Sequence, residues 1–150
     1  MNLSPNFTLA ELTKSQVALR HGIDNTPDDA AVANLKLVAE NILQPVREHY
    51  GIPFAPSSGF RCLELNRILK SKDTSQHVLG QAVDIEVPGV SNFDLAEWIR
   101  DTLSFDQVIL ECYTKGEPSS GWVHCSYVGA SNRMATLTFA NRTYSEGLIA

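Results

Sequence analysis

The strongest pattern of apolar and polar positions in the chain runs from residue 28 to residue 50 and has helical spacing. Its apolar positions, three or four residues apart, are Val32, Leu35, Val38, Ile42, Leu43, Val46 and Tyr50. Before it, Thr26-Pro27-Asp28-Asp29 offers a cap residue, a proline for the first turn and acids near the N-terminus, and Gly51 follows its end. Pro45 should bend this helix, because proline has no N–H to donate and crowds the preceding turn. The pattern predicts one bent scaffold helix over residues 28–50.

Shorter helices are predicted on both sides of it from their capping signals. The segment at residues 8–11 has the pattern of a capping box, and residues 15–21 look like a second short helix that stops at a glycine. Helical spacing returns over residues 61–70. Ser91 with Asp94 caps a further helix.

Alternation of apolar and polar residues predicts strands in the second half of the chain. Residues 82–87 alternate cleanly, and residues 106–112 and 122–128 flank a turn-rich segment, so these last two should pair as antiparallel strands. Residues 133–140 are a further strand candidate, and residues 141–150 look like an irregular tail. Helices followed by strands predict an α+β fold in which the N-terminal helices pack on a small antiparallel sheet.

Length and composition narrow the class of protein. A chain of 150 residues suits a single domain over residues 1–150 with a core of its own. The net charge of -5 and the absence of a Lys/Arg cluster argue against a nucleic-acid partner. No window approaches the roughly 20 apolar residues of a membrane span, and the N-terminus lacks the basic start and apolar run of a secretory signal. We expect a monomer that has no membrane span and binds no nucleic acid.

Candidate metal ligands lie in and beside two of the predicted strands. His77 and Asp84 are seven residues apart and lead into the strand at 82–87, and His124 lies in the strand at 122–128. Because alternate side chains of a strand share a face, Asp84 and His124 would meet on neighbouring strands, with His77 arriving from the loop. Two imidazoles and one carboxylate are a zinc ligand set that leaves one coordination position open, as catalytic sites do. The sequence therefore predicts one catalytic Zn²⁺ per chain and a hydrolase.

Such a hydrolase also needs a general base, and Glu111 is the best candidate. It lies in an otherwise apolar strand, where a carboxylate is costly to bury unless it is paired or takes part in chemistry. If the following loop closes symmetrically, Glu111 lies opposite Val123 or His124, near the metal. The alternative is an edge-strand charge that reaches solvent. The weaker candidates are Glu117, in a solvated turn, and Glu86, about 7 Å along the strand from Asp84.

Arg61 and Ser75 are candidates for contacts with a substrate. The guanidinium fork of Arg61 suits a carboxylate or a developing oxyanion. The alternative is a surface arginine paired with Glu64. Ser75, two residues before His77, could hydrogen-bond a substrate or only order the loop.

Three motifs resemble those of the zinc D-alanyl-D-alanine carboxypeptidase family. They are Ser75-x-His77-x-x-Gly80-x-Ala82-x-Asp84, then Trp122-x-His124, and upstream Ser58-Gly59-Phe60-Arg61-Cys62-x-x-Leu65-Asn66. That family shares its fold with the hedgehog signalling domain and includes many phage endolysins. Residues 7–12 and 22–27 resemble a phage and prophage branch, so the likeness covers about residues 5–128. The resemblance implies His77, Asp84 and His124 as zinc ligands, Arg61 as a substrate or transition-state contact, and peptidoglycan peptide as the substrate.

One position departs from the family pattern. Several members carry the general base three residues before the last histidine, as Glu-x-x-His or Asp-x-x-His. The chain has Gly121 there, which cannot act as a base. Either Glu111 takes the role or the protein is inactive.

These observations predict a zinc-dependent peptidoglycan peptidase that cuts within the stem peptide or its cross-link. The expected setting is a phage or prophage, where the protein is made in the cytoplasm and reaches the wall by holin release or as part of a virion. A cytoplasmic D-Ala-D-Ala dipeptidase would use the same chemistry. Gly121 favours a second class, a non-catalytic wall-binding or structural virion module that keeps the zinc fold. A plain globular domain with scattered histidines would bind no stoichiometric zinc.

Overall fold

All 150 residues are described by the computed structural model of the chain. In chain order the elements are β1 (Asn2–Ser4), β2 (Phe7–Thr8), α1 (Leu9–Thr13), α2 (Gln16–Arg20), α3 (Asp29–Val38), α4 (Gln44–Tyr50), α5 (Leu63–Ile68), β3 (Ala82–Ile85), α6 (Asn92–Thr102), β4 (Gln107–Glu111), β5 (Trp122–Ser126), β6 (Ala135–Ala140) and β7 (Thr143–Glu146). A π-helical turn, Ala39–Leu43, joins α3 to α4. None of the helices has the length and apolar character needed to cross a membrane.

The predicted scaffold helix is present as a continuous helical path from α3 through the π turn to α4. The π turn ends at Leu43, two residues before Pro45, and the Gln44 N–H bonds to the Ala39 carbonyl. Proline cannot donate to the preceding turn, so a wider turn there relieves the crowding that its ring would cause. The predicted cap at Thr26 is wrong. Asp28 caps α3 instead, accepting a 2.8 Å bond from the Ala31 N–H, because only the residue directly before the helix can reach that donor.

Three of the other predicted helices begin where their caps indicated, and one is shorter than predicted. The capping box at Thr8 is formed, Ser15 caps α2 and Ser91 caps α6. The helix predicted over residues 61–70 is shorter, because α5 begins only at Leu63. The Arg61 N–H instead bonds to the His77 carbonyl, so Arg61 lies in extended chain beside the loop that carries His77.

Five strands form the main sheet in the order β3-β5-β4-β6-β7. The predicted antiparallel pairing of β4 with β5 is confirmed, but β6 runs parallel to β4, so the sheet is mixed. The prediction of an irregular tail over residues 141–150 is also wrong, since β7 pairs antiparallel with β6. Asn141 and Arg142 make the connecting two-residue turn with φ of 51° and 61°. Such turns usually contain glycine, which explains why the sequence pattern did not predict this hairpin.

Because side chains alternate in direction along each strand, the sheet has two different faces. One face packs against the helices and consists of fully buried side chains, namely Val83, Ile85, Val108, Leu110, Val123 and Cys125. Helices α3 and α6 contact the sheet. The opposite face is not covered by these helices and carries Asp84 and His124 on the edge strand β3 and its neighbour β5. The fold is therefore an α+β arrangement, as predicted, in which a helical layer holds the sheet from behind.

Candidate metal centre

The structure brings together the three residues predicted as metal ligands. Asp84 on β3 and His124 on β5 are direct cross-strand partners. His77 comes from the loop before β3 and is buried. One ligand atom from each residue lies within 4.8 Å of the others, so the three could hold a metal ion.

The distances within this cluster fit a tetrahedral metal. Asp84 Oδ1 lies 3.1 Å from His124 Nδ1 and 3.5 Å from His77 Nε2. Nitrogen and oxygen ligands bound to zinc at about 2.05 Å in tetrahedral geometry are about 3.3 Å apart, so the observed separations bracket that value. The donor set and its spacing therefore fit zinc, with a fourth position left for a reactant.

His77 is oriented by a backbone carbonyl. Its Nδ1 lies 2.7 Å from the Gly59 carbonyl oxygen, which can only accept, so Nδ1 carries the proton and Nε2 has a free lone pair. A side chain on Gly59 would collide with the backbone of Leu12, so glycine allows the segment that carries this carbonyl to pack closely against α1. Burial lowers the pKa of His77 and keeps the imidazole in the neutral form that a metal requires. The Gly59 carbonyl therefore fixes the tautomer of His77 that leaves Nε2 free for a metal.

Arg61 contacts the cluster through the second oxygen of Asp84. Its Nη2 lies 3.4 Å from Asp84 Oδ2, and its Nε donates to Ser58 Oγ at 3.0 Å. The alternative pairing with Glu64 is not formed. Burial alone would raise the pKa of Asp84, but its contacts with the imidazoles of His124 and His77, which hydrogen-bond and attract the carboxylate whenever they are protonated, bring that pKa well below its usual range. Asp84 is therefore an anion that faces the histidines with one oxygen and Arg61 with the other.

Glu111 lies on the same sheet face as His124, but not in the predicted register. Its cross-strand partner is Trp122, whereas Ile109 is opposite His124. The pairing therefore lies one or two residues earlier in β5 than predicted, and the residues at the two ends of the connecting loop, Cys112 and Gly121, have positive φ of 57° and 66°. Burial raises the pKa of Glu111, and the negative charge of Asp84 raises it further. A partly buried carboxyl with a raised pKa, on the metal face, has the properties of a general base.

The two weaker carboxylate candidates lie elsewhere. Glu86 accepts a 3.0 Å bond from Asn92 at the start of α6. Glu117 is exposed in the turn between β4 and β5. Neither lines the cavity of the metal cluster.

A cavity of about 820 Å³ opens over the cluster. Besides the cluster it is lined by the predicted residues Arg61, Ser75 and Glu111, by Trp122 of the Trp-x-His motif, and by residues that the sequence did not single out, among them Gln107, Ile109, Arg133 and Tyr144. The loop at residues 70–76 forms one wall, whereas residues 113–121 do not line the cavity. Ser75 does more than line the cavity, because its hydroxyl accepts a 3.3 Å bond from the His77 N–H.

Gly121 is required by the backbone. Its φ of 66° is left-handed, and a Cβ added there would collide with the Glu111 carbonyl oxygen and lie 2.7 Å from the Cys112 carbonyl carbon. An acidic side chain therefore cannot occupy this position without moving β4. The departure from the family pattern at Gly121 therefore has a local structural cause. An acidic side chain at this position would displace β4, which is the strand that carries Glu111.

An α+β fold with a His-Asp-His cluster on the open sheet face, at the floor of a cavity, is the arrangement of a metallopeptidase. The profile of the family described as Peptidase M15 matches residues 5–126, and the chain belongs to that family, whose members are zinc peptidases. A comparison with curated proteins gives no significant match. The predicted kinship with zinc carboxypeptidases is thereby confirmed at the level of the family, and the phage branch stays a prediction.

Proposed function

We propose that the protein is a zinc-dependent peptidase of bacterial peptidoglycan that hydrolyses an amide bond of the stem peptide or its cross-link. The observation that carries this proposal is the shared cavity. It contains the His-Asp-His cluster, a carboxyl of raised pKa at Glu111 and the guanidinium of Arg61. The substrate class comes from the motif resemblance and the family membership.

Zinc would be held by His77 Nε2, His124 Nδ1 and Asp84 Oδ1, the atoms that face one another in the cluster. When bound there, zinc supplies Lewis acidity, which polarises a carbonyl and makes water nucleophilic near neutral pH. The Gly59 carbonyl and the Arg61 guanidinium hold two of these ligands in position, and such outer partners commonly set metal affinity.

Glu111 is assigned the proton transfer. It is two residues along β4 from Ile109, the cross-strand partner of His124, and such diagonal neighbours have Cβ atoms about 7 Å apart. That separation leaves room for a water and a peptide carbonyl between the carboxylate and the cluster. Glu111 would take the proton of the attacking water at its carboxylate and pass it to the leaving amine. Its raised pKa moves it towards neutrality, where a general base is most effective.

We assign to Arg61 the binding of negative charge on the substrate or in the transition state. Its guanidinium is only partly used by Asp84 and Ser58, at 3.4 and 3.0 Å, and it lines the cavity. Arginine is permanently charged and offers several donors in one plane, which suits a substrate carboxylate or the oxyanion that develops during hydrolysis.

The biological setting is part of the proposal. The motifs at residues 7–12 and 22–27 support a phage or prophage enzyme that reaches the wall by holin release or within a virion. A cytoplasmic dipeptidase is the alternative with the same chemistry. The non-catalytic alternative relies on Gly121. The local backbone requirement for glycine there, together with Glu111 in the cavity, supports the peptidase over this alternative.

The test is mass spectrometry of purified peptidoglycan after incubation with the zinc-loaded protein. We expect new amine and carboxylate ends, which also identify the bond. Glu111→Gln should lower turnover by about 10²- to 10⁴-fold while zinc content stays at one per chain. Glu117→Gln, an exposed glutamate outside the cavity, is the matched control and should retain wild-type turnover. Intact walls of several stem-peptide types would contradict a peptidase, and full activity in Glu111→Gln would contradict its role as base.

A further inference from the structure

The C-terminal hairpin lies outside the family match but returns to the cavity of the metal cluster. The match ends at residue 126, before β6 and β7 begin. β6 joins the sheet beside β4, and β7 forms the far edge. Tyr144 on β7 lines the same cavity as His77 and His124. This chain therefore adds a wall to the site that the matched region does not include.

The register places Tyr144 in a row of side chains that crosses the sheet. Glu111 pairs with Trp122 on one side and with Phe139 on the other, and Phe139 pairs with Tyr144. All four side chains are on the face that carries His124. The rings of Phe139 and Tyr144 are in contact, with centroids 4.5 Å apart, yet Tyr144 is 58% exposed. Burial and the nearby charge of Glu111 both raise the pKa of the Tyr144 phenol, in agreement with a ring that points along this row.

The hairpin is held in place by contacts after β7. The Thr138 hydroxyl donates to the Gly147 carbonyl at 2.8 Å and accepts from the Ile149 N–H at 2.9 Å. The Gly147 N–H bonds to the Thr136 carbonyl at 2.8 Å. Tyr144 is thus carried by an anchored strand, and its ring presents a fixed aromatic surface to the cavity.

The distance from the cluster to Tyr144 sets a minimum length for a ligand that touches both. β5 and β7 are three strand spacings apart, which is about 14 Å at about 4.8 Å each. An extended peptide advances about 3.3 Å per residue, so about four residues are needed to span this distance. A dipeptide covers about 7 Å, which is half of this backbone separation.

A second cavity adjoins the one over the metal cluster. It has a volume of about 680 Å³ and shares the lining residues Arg61 and Leu69 with the first. It reaches Ser15 and Gln16 at the start of α2. None of the three candidate metal ligands lines it, so the metal cluster belongs to the first cavity.

We propose that Tyr144 is a substrate-binding residue of a distal subsite for an extended oligopeptide, about four residues from the scissile bond. The substrate is then a stem peptide of the wall or its cross-linked form and not a free dipeptide. This inference rests on the proposed peptidase function. Tyr144 contributes to substrate binding and not to the chemical step. Its ring packs against the peptide and lowers KM, while the reacting atoms lie at the metal cluster.

The experiment measures kcat and KM for nested synthetic peptides of two to six residues around the bond identified by wall digestion. One series is extended on the amino side of the bond and another on the carboxyl side. The zinc-loaded wild type is compared with Tyr144→Ser, which removes the ring, and Tyr144→Phe, which keeps it. Ser145→Ala is the matched control, because Ser145 is exposed on the same strand but points to the opposite face.

In one series we expect Tyr144→Ser to raise KM for the longest peptides about three- to tenfold, with kcat little changed. The shortest peptides should be cut equally well by all variants. Tyr144→Phe should keep most of the decrease in KM that the wild type shows as the peptides become longer. An equal loss at every length, or no loss in either series, would overturn the subsite. A drop in melting temperature without any dependence on length would mean that Tyr144 only covers Phe139. If the wild type cuts no peptide and no wall, the peptidase function itself fails, which is a different result.

Discussion

Asp106 ties the loop of His77 to the sheet, and its removal should weaken the fold in a pH-dependent way. The side chain is 2% exposed and accepts from Arg133 Nε at 2.9 Å, from Arg133 Nη2 at 2.7 Å and from Gln76 Nε2 at 2.8 Å. Gln76 is the neighbour of His77. These contacts join the loop before β3, the start of β4 and the segment before β6.

The contribution of Asp106 to the free energy of unfolding follows from the pKa of its carboxyl group. The hydrogen bonds from Arg133, with a smaller part from Gln76, outweigh burial and lower the pKa of Asp106 from 3.8 to about 2. A folded-state pKa below the unfolded one stabilises the protein above about pH 4, and this stabilisation is lost as the pH falls towards 2. At about 1.4 kcal/mol per pKa unit the full effect is about 2.4 kcal/mol. The Arg133 side chain is 59% exposed and therefore screened, so we expect about 1 to 2 kcal/mol.

The assay is urea unfolding of the wild type and of Asp106→Asn between pH 2.5 and 7. Metal-free protein is used throughout, because protonation of the ligands would otherwise release zinc. The wild type should be more stable at pH 7, and the difference should shrink below about pH 4. Asp73→Asn is the control, since its ion pair with Arg67 is exposed and should contribute little at any pH. A difference between wild type and Asp106→Asn that stays constant down to pH 2.5 would refute the reasoning.

Two further predictions concern the turn before β5 and the metal. Gly121→Ala should destabilise the protein more than Gly116→Ala. Both positions have positive φ, which strains an alanine by about 1 to 2 kcal/mol, but of the two only Gly121 lacks space for a Cβ. Equal losses of unfolding free energy in urea would contradict this. Zinc at a thousandfold excess over its Kd should stabilise the wild type by about 4 kcal/mol, measured as a chelator-dependent fall in Tm. His77→Ala should lose this response and the exposed His21→Ala should keep it, so stoichiometric zinc in His77→Ala would exclude His77 as a ligand.

The sequence by itself determined the features that depend on neighbours in the chain. The caps at Thr8, Ser15 and Ser91 act within one helical turn, and the π turn before Pro45 follows from the missing N–H of that proline. The candidate ligands of the metal cluster were also identified from the sequence, because two of them lie within a single motif. Alternation allows Asp84 and His124 to share a sheet face, but the pairing of β3 with β5 is what brings them together.

Only the tertiary structure decided the features that depend on strand order and register. The partner of Glu111 was predicted wrongly because the register of β5 depends on where the connecting loop ends, which no local pattern indicates. The pairing of Arg61 with Asp84 joins residues 23 positions apart. Tyr144 reaches the cavity because β6 runs parallel to β4 and turns back as β7. Contacts between residues far apart in the chain depend on the closure of every intervening segment, so local propensity cannot specify them.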